Sequence, residues 1–107
     1  MTPIPSHPRH LLSEVIHQTV RFSIVAALAS ADSLDFATIR DAIQVSDSVL
    51  SKQITILEQA EILEVKKGYV GKRPRTWVKL TPDGREAWVN HLDVLRQIAG
   101  GTSATQN

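Results

Sequence analysis

Cysteine is absent from the 107 residues, which excludes a disulfide scaffold, thiolate zinc sites and a cysteine nucleophile. No apolar run approaches the roughly 18 residues that a membrane-spanning helix requires. The stretch from Met1 to Pro8 holds three prolines and no apolar core, so it does not read as a secretory signal. With nothing marking the chain for export, the expected location is the cytoplasm. Glycine-rich phosphate loops, nucleophile motifs and convincing acid–base pairs are missing as well. Neither enzymatic activity nor a cofactor is expected.

Net charge is scarce: it amounts to +1, with a pI of about 8.2, below the value above about 9 that marks a uniformly basic nucleic-acid binder. Its distribution says more. Lys66, Lys67, Lys72, Arg73, Arg75 and Lys79 fall in one segment without a single acid, leaving six basic residues against all 11 acidic ones elsewhere. Any polyanion will be met at that segment. The rest of the composition, 42% hydrophobic and 21% charged, is that of a chain that folds. At this length it forms one domain with a marginal core, which a dimer interface would supplement.

Along the chain, residues 1–8 read as a flexible arm. A first helix is expected from Pro8, with Ser6 as its cap and Leu11, Leu12, Val15 and Ile16 on one side. Thr19 can cap a second helix bearing Val20, Ile24, Val25 and Leu28. Leu34 to Phe36 is either a helix start or a three-residue strand. Phe36, Ile39 and Ile43 then mark a helix of about two turns, broken at Val45 and Ser46. Another opens at Asp47, with Ser46 as N-cap and Leu50, Ile54 and Leu57 at helical spacing. Two short helices joined by so brief a turn make a helix-turn-helix. Leu63 and Val65, then Thr76, Val78 and Leu80, alternate as two strands around a basic turn at residues 71–75. Thr81, Pro82 and Asp83 open a last helix, to about Ala99, where two glycines stop it. Residues 100–107 are polar and expected to be disordered.

This order resembles the winged-helix transcriptional regulators of the MarR and ArsR type, over roughly His10 to Ile98. Residues 20–28 are similar to their early helix, Ser46 to Leu57 to their recognition helix, residues 71–76 to their wing, and Leu80 to Arg85 to the entry of their last helix. The expected class is mainly α with a small β-hairpin (α+β): a winged helix-turn-helix over residues 9–99 with terminal dimerisation helices. One position departs from the pattern. These families place Gly just after the position of Ala60, where this chain has Glu61.

The resemblance implies a regulator of transcription that binds double-stranded DNA, expected here as a repressor. Leu50, Ile54 and Leu57 must face the core, which leaves Ser48, Ser51, Lys52 and Thr55 on the opposite face for a major groove. Gln53, on the flank, is a candidate for bidentate pairing with adenine. Lys72, Arg73 and Arg75 suit a minor groove or its flanking phosphates. Trp77 shares a strand face with Arg75 and Lys79, where packing over the hairpin is the simpler role.

The helix 82–99 carries more apolar surface than a body this small can cover. Leu11, Leu12, Val15, Trp88, His91, Leu92, Leu95 and Ile98 are therefore the candidates for a homodimer interface. Its two-fold axis implies a near-palindromic operator. His10 and His17 share a face of the first helix and His91 can approach them, but no short ligand pair points to a metal. A small-molecule or metal effector is left without support. The rival reading is a winged-helix interaction module whose basic wing holds an acidic protein partner.

Overall fold

The apolar positions close around one another in the computed structural model, which describes residues 7–100. A 3-10 turn (Pro8–Leu11) leads into α1 (Glu14–His17), α2 (Thr19–Ala29), β1 (Leu34–Asp35) and α3 (Phe36–Ile43). Then come α4 (Asp47–Gln59), β2 (Leu63–Val70), β3 (Arg73–Leu80) and the long α5 (Pro82–Gly100). Ile16, Ile24, Leu28, Ile39, Leu50, Leu57, Leu63 and Val78 form one buried cluster drawn from α1, α2, α3, α4 and the sheet. The architecture is mostly helical with a small antiparallel sheet, the winged-helix arrangement expected.

The single first helix does not form. Leu12 and Ser13 are extended, with ψ of 137° and 116°. Ser13 explains the break, because its Oγ accepts from Ile16 N at 3.3 Å and caps α1 afresh. Its own N–H donates to His91 Nδ1, also at 3.3 Å. Ser6 lies outside the described residues, as does the rest of the arm up to that point. Pro8 already belongs to the 3-10 turn, capped by His7, whose Nδ1 accepts from Arg9 N. Gln18 rather than Thr19 caps α2, through Oε1 and the Arg21 amide at 2.9 Å. The polar tail expected at 100–107 lies beyond the described residues except for Gly100, which is still helical.

The sheet has the order β1-β3-β2. Leu34 pairs with Val78 and Asp35 with Trp77, so the Leu34–Phe36 patch is a short strand that passes directly into α3. The hairpin is longer than its apolar alternation suggested. It runs from Leu63↔Leu80 to Val70↔Arg73, closed by Gly71 and Lys72 alone. Gly71 has φ +63°, and glycine in that conformation at the first turn position matches the right-handed twist of the two strands. Arg73, Pro74 and Arg75 are therefore strand residues, not loop.

Glu61 occupies the left-handed region, with φ 61°, where the resembling families place glycine. The fold holds a non-glycine residue in this strained conformation. A side chain there costs on the order of 1 kcal/mol. Glu61→Gly is accordingly expected to raise stability by about 1 kcal/mol, read as a higher denaturation midpoint; a lower midpoint would contradict the assignment.

Candidate nucleic-acid interface

The helix α4 is set by its ends. Ser46 Oγ accepts from Val49 N at 3.2 Å, and Asp47 stands in the first turn, where a carboxylate complements the helix dipole. Before it, Gln44 turns the chain with φ 58°. Arg40 then ties α3 to α4: its Nη1 donates to Asp47 Oδ1 at 2.9 Å and its Nε to Asp41 Oδ1 at 3.0 Å. The two carboxylates, Asp47 first, hold the Arg40 pKa above its ordinary value. The acid that would repel a phosphate is thereby answered by a neighbouring cation. Sequence reasoning passed over Arg40; its only trace there was a basic residue seven positions before an acid, across a turn.

Leu50, Ile54 and Leu57 are buried, while Ser48, Ser51, Lys52 and Thr55 are all exposed. Thr55 Oγ1 donates to the Ser51 carbonyl at 3.0 Å, so its lone pairs remain as the reading group. Ser48 Oγ lies 3.3 Å from the capping Ser46 Oγ. These four side chains present short acceptors and donors and one mobile cation, the set that lets a helix backbone approach base edges closely.

Gln53 does not join them. It is half-buried, and Arg21 Nη1 of α2 donates to its Oε1 at 2.7 Å. Bidentate pairing with adenine needs that oxygen as an acceptor alongside the amide nitrogen, and one of its lone pairs already holds Arg21 on the side of α2. The contact turns Gln53 toward α2 and away from the base-reading row. Arg21, half-buried in the first turn of α2, was missed because nothing in a helical period reveals a partner 32 residues away.

On the wing, Lys72 sits in the turn and Arg73 at the first pair of the hairpin. Arg73, Arg75, Trp77 and Lys79 alternate onto one face of β3, opposite Val70, Gly68, Lys66 and Glu64. Arg75 lies 5.7 Å from the centre of the half-buried Trp77 ring, a cation–π distance. The indole therefore packs over the hairpin and steadies an arginine. Asp35 stands on the same face. Its pKa is lowered first by the Thr38 hydroxyl; burial, the next largest effect, opposes this, and the Arg75 charge adds a smaller lowering. Lys79 pairs loosely with Glu64 at 3.8 Å. Lys72, Arg73 and Arg75 are exposed, with no ion pair to either arginine or the lysine among the described residues.

On α5, Trp88 packs against Phe22 with ring centroids 4.9 Å apart, and His91 is 2% exposed. Both pack within this chain. Val15 is likewise half-buried against the core. Leu11 at 66%, Val89 at 58% and Ile98 at 36% remain bare, with Leu12, Leu92 and Leu95 half-covered. The break at Leu12 and Ser13 means that His10 and His17 do not share one continuous helix, and the His10 side chain lies outside the described residues. His17 meets His91 within the same chain at 5.5 Å between rings. Among the described residues no group of three or more candidate ligands could hold a metal.

His91 is fixed in one tautomer. Its Nδ1 accepts from Ser13, so the neutral ring carries its proton on Nε2, which is buried with no partner. Burial first, and the His17 charge second, push its pKa below the ordinary value, about 6.5 in the unfolded chain. The folded state therefore binds the proton less readily than the unfolded one. Its stability is fully present above about 6.5 and is lost as pH falls below it. The wild-type denaturation midpoint is expected to fall between pH 7 and 5 by more than that of His91→Leu. Equal falls would contradict this.

Comparison with known proteins agrees with the geometry. A family model described as winged helix DNA-binding domain matches residues 20–99. The chain is 26% identical over 86 residues to an uncharacterised protein of Methanocaldococcus jannaschii, covering 80% of this chain and 94% of that one. The structure of a transcriptional regulator homologue from Pyrococcus horikoshii superposes with a TM-score of 0.78 at 24% identity, over 85% of this chain and 90% of that one. The transcriptional regulator MOSR of M. tuberculosis, solved in complex with DNA, gives a TM-score of 0.66 at 16% identity, over 79% and 60% of the two chains. At such identities the likeness of these structures is one of fold.

Proposed function

The chain belongs to the winged helix DNA-binding domain family, and from that premise we propose that it is a homodimeric repressor of transcription that binds double-stranded DNA in a sequence-dependent way. The observation that carries this reading is the split character of α4. Its Leu50, Ile54 and Leu57 are locked into the core while Ser48, Ser51, Lys52 and Thr55 stand bare. These four read the major groove. Lys72, Arg73 and Arg75 of the wing meet the phosphates that flank the minor groove.

Leu11, Ile98 and the open edges of Leu12, Leu92 and Leu95 supply the apolar surface for a second copy. A two-fold pair places the two α4 helices on half-sites about one DNA turn apart. No helix among the described residues is long and apolar enough to cross a membrane, and the reading places the chain in the cytoplasm with its operator.

Titration of labelled genomic duplex fragments at several salt concentrations tests the proposal. About four phosphate-contacting cations per subunit give a slope of log K against log salt near −7 for the dimer, from about −0.9 per phosphate. An affinity indifferent to salt would contradict it.

A further inference from the structure

We propose that Arg21 and Gln53 together form a seat for one backbone phosphate beside the recognition helix. This rests on the reading of the chain as a DNA-binding protein. Arg21 donates through Nε to the Val15 carbonyl at 2.5 Å and through Nη1 to Gln53 Oε1 at 2.7 Å. An amide nitrogen cannot accept from a guanidinium, so the Gln53 oxygen must face Arg21 and its Nε2 must face away. Neither Nε2 nor Arg21 Nη2 has a partner among the described residues. Yet the one buried side-chain nitrogen or oxygen without a partner there is His91 Nε2. Both groups on the half-buried Arg21 and Gln53 therefore reach solvent.

The result is a fixed set of free N–H donors on two joined side chains, with a positive charge that no carboxylate among the described residues neutralises. Such a set offers nothing to a donor and takes an oxyanion with several lone pairs. Gln53 is turned from the row of Ser48, Ser51, Lys52 and Thr55 toward α2. Its neighbour in a complex is thus the wall of the groove, which is phosphate, and not the base edges on its floor. Because both side chains are already held, little freedom is lost when the anion arrives.

The test compares wild type, Arg21→Gln and Gln53→Glu on one duplex, by anisotropy across a salt series, with melting curves alongside. Arg21→Gln is expected to bind about ten-fold more weakly, the scale of a charge-assisted hydrogen bond, and to lose about 0.9 of salt slope per subunit. Gln53→Glu keeps the bond to Arg21 but replaces the outward donor with an acceptor. It is expected to melt like wild type and to bind about ten-fold more weakly. If Arg21→Gln fails to fold, Gln53→Glu decides alone. Wild-type-like binding by Gln53→Glu overturns the seat, and so does weaker binding by Arg21→Gln with an unchanged salt slope. A wild-type chain that binds no duplex at all overturns the DNA-binding reading itself, which is a separate result.

Discussion

Gly84→Ala is expected to destabilise the fold by about 3 kcal/mol, at the upper end of what overpacking usually costs. Gly84 is buried at the start of α5, and a Cβ there would lie 1.8 Å from the Ile62 carbonyl oxygen and 2.7 Å from its carbon. These are backbone atoms, which cannot swing aside as a side chain would. They are pinned from several directions. Thr81 Oγ1 accepts from Gly84 N at 2.8 Å and donates to the Glu61 carbonyl at 2.7 Å, while Thr81 N donates to Ile62 O at 3.0 Å. The first turn of α5 is thus docked directly on the chain entering β2. Relieving the clash means moving that helix away from the sheet and from Phe22 beneath Trp88. A fall in denaturation midpoint of many degrees is the expected reading; a melting curve superposed on that of wild type would contradict the docking.

The second large effect concerns binding, not stability. Arg73→Ala combined with Arg75→Ala is expected to weaken duplex binding on the order of a thousand-fold at 0.1 M salt. The dimer loses four phosphate neutralisations, hence about 3.6 of salt slope. The loss is expected to be similar on all sequences, because phosphate contacts carry no base information. Stability is expected to change little, since both residues are exposed strand positions beyond the core. Arg75 does surrender its approach to the Trp77 ring, worth about 0.5–1 kcal/mol at an exposed site. Loss of binding on some sequences only would assign these arginines to base reading instead.

The parts legible in the sequence are those where local chemistry and burial agree. Ser46 as cap and Leu50, Ile54 and Leu57 at helical spacing determine α4, and Thr81 with Pro82 determines the start of α5. The parts that were not legible depend on distant partners. Leu11, Leu12, Val15 and Ile16 satisfy a helical period whether or not the helix is broken between them. The break comes from Ser13, whose amide is taken by a histidine 78 residues away. The wing was read too short because Tyr69, 74% exposed, and its neighbours sit beyond the core, where alternation has nothing to bury. His91 was read as part of an apolar stripe available to a second copy, and Gln53 as a base reader; each is held by a side chain or amide of another element. Arg21 and Arg40 carried no periodic signal at all.

The most direct test of the central claim is selection of random duplexes by the full chain, followed by sequencing. The account predicts an enriched inverted repeat with half-site centres about 10 base pairs apart, lost when Ser51 and Lys52 are both replaced by Ala. Enrichment of no sequence, or of one that survives those replacements unchanged, would contradict it.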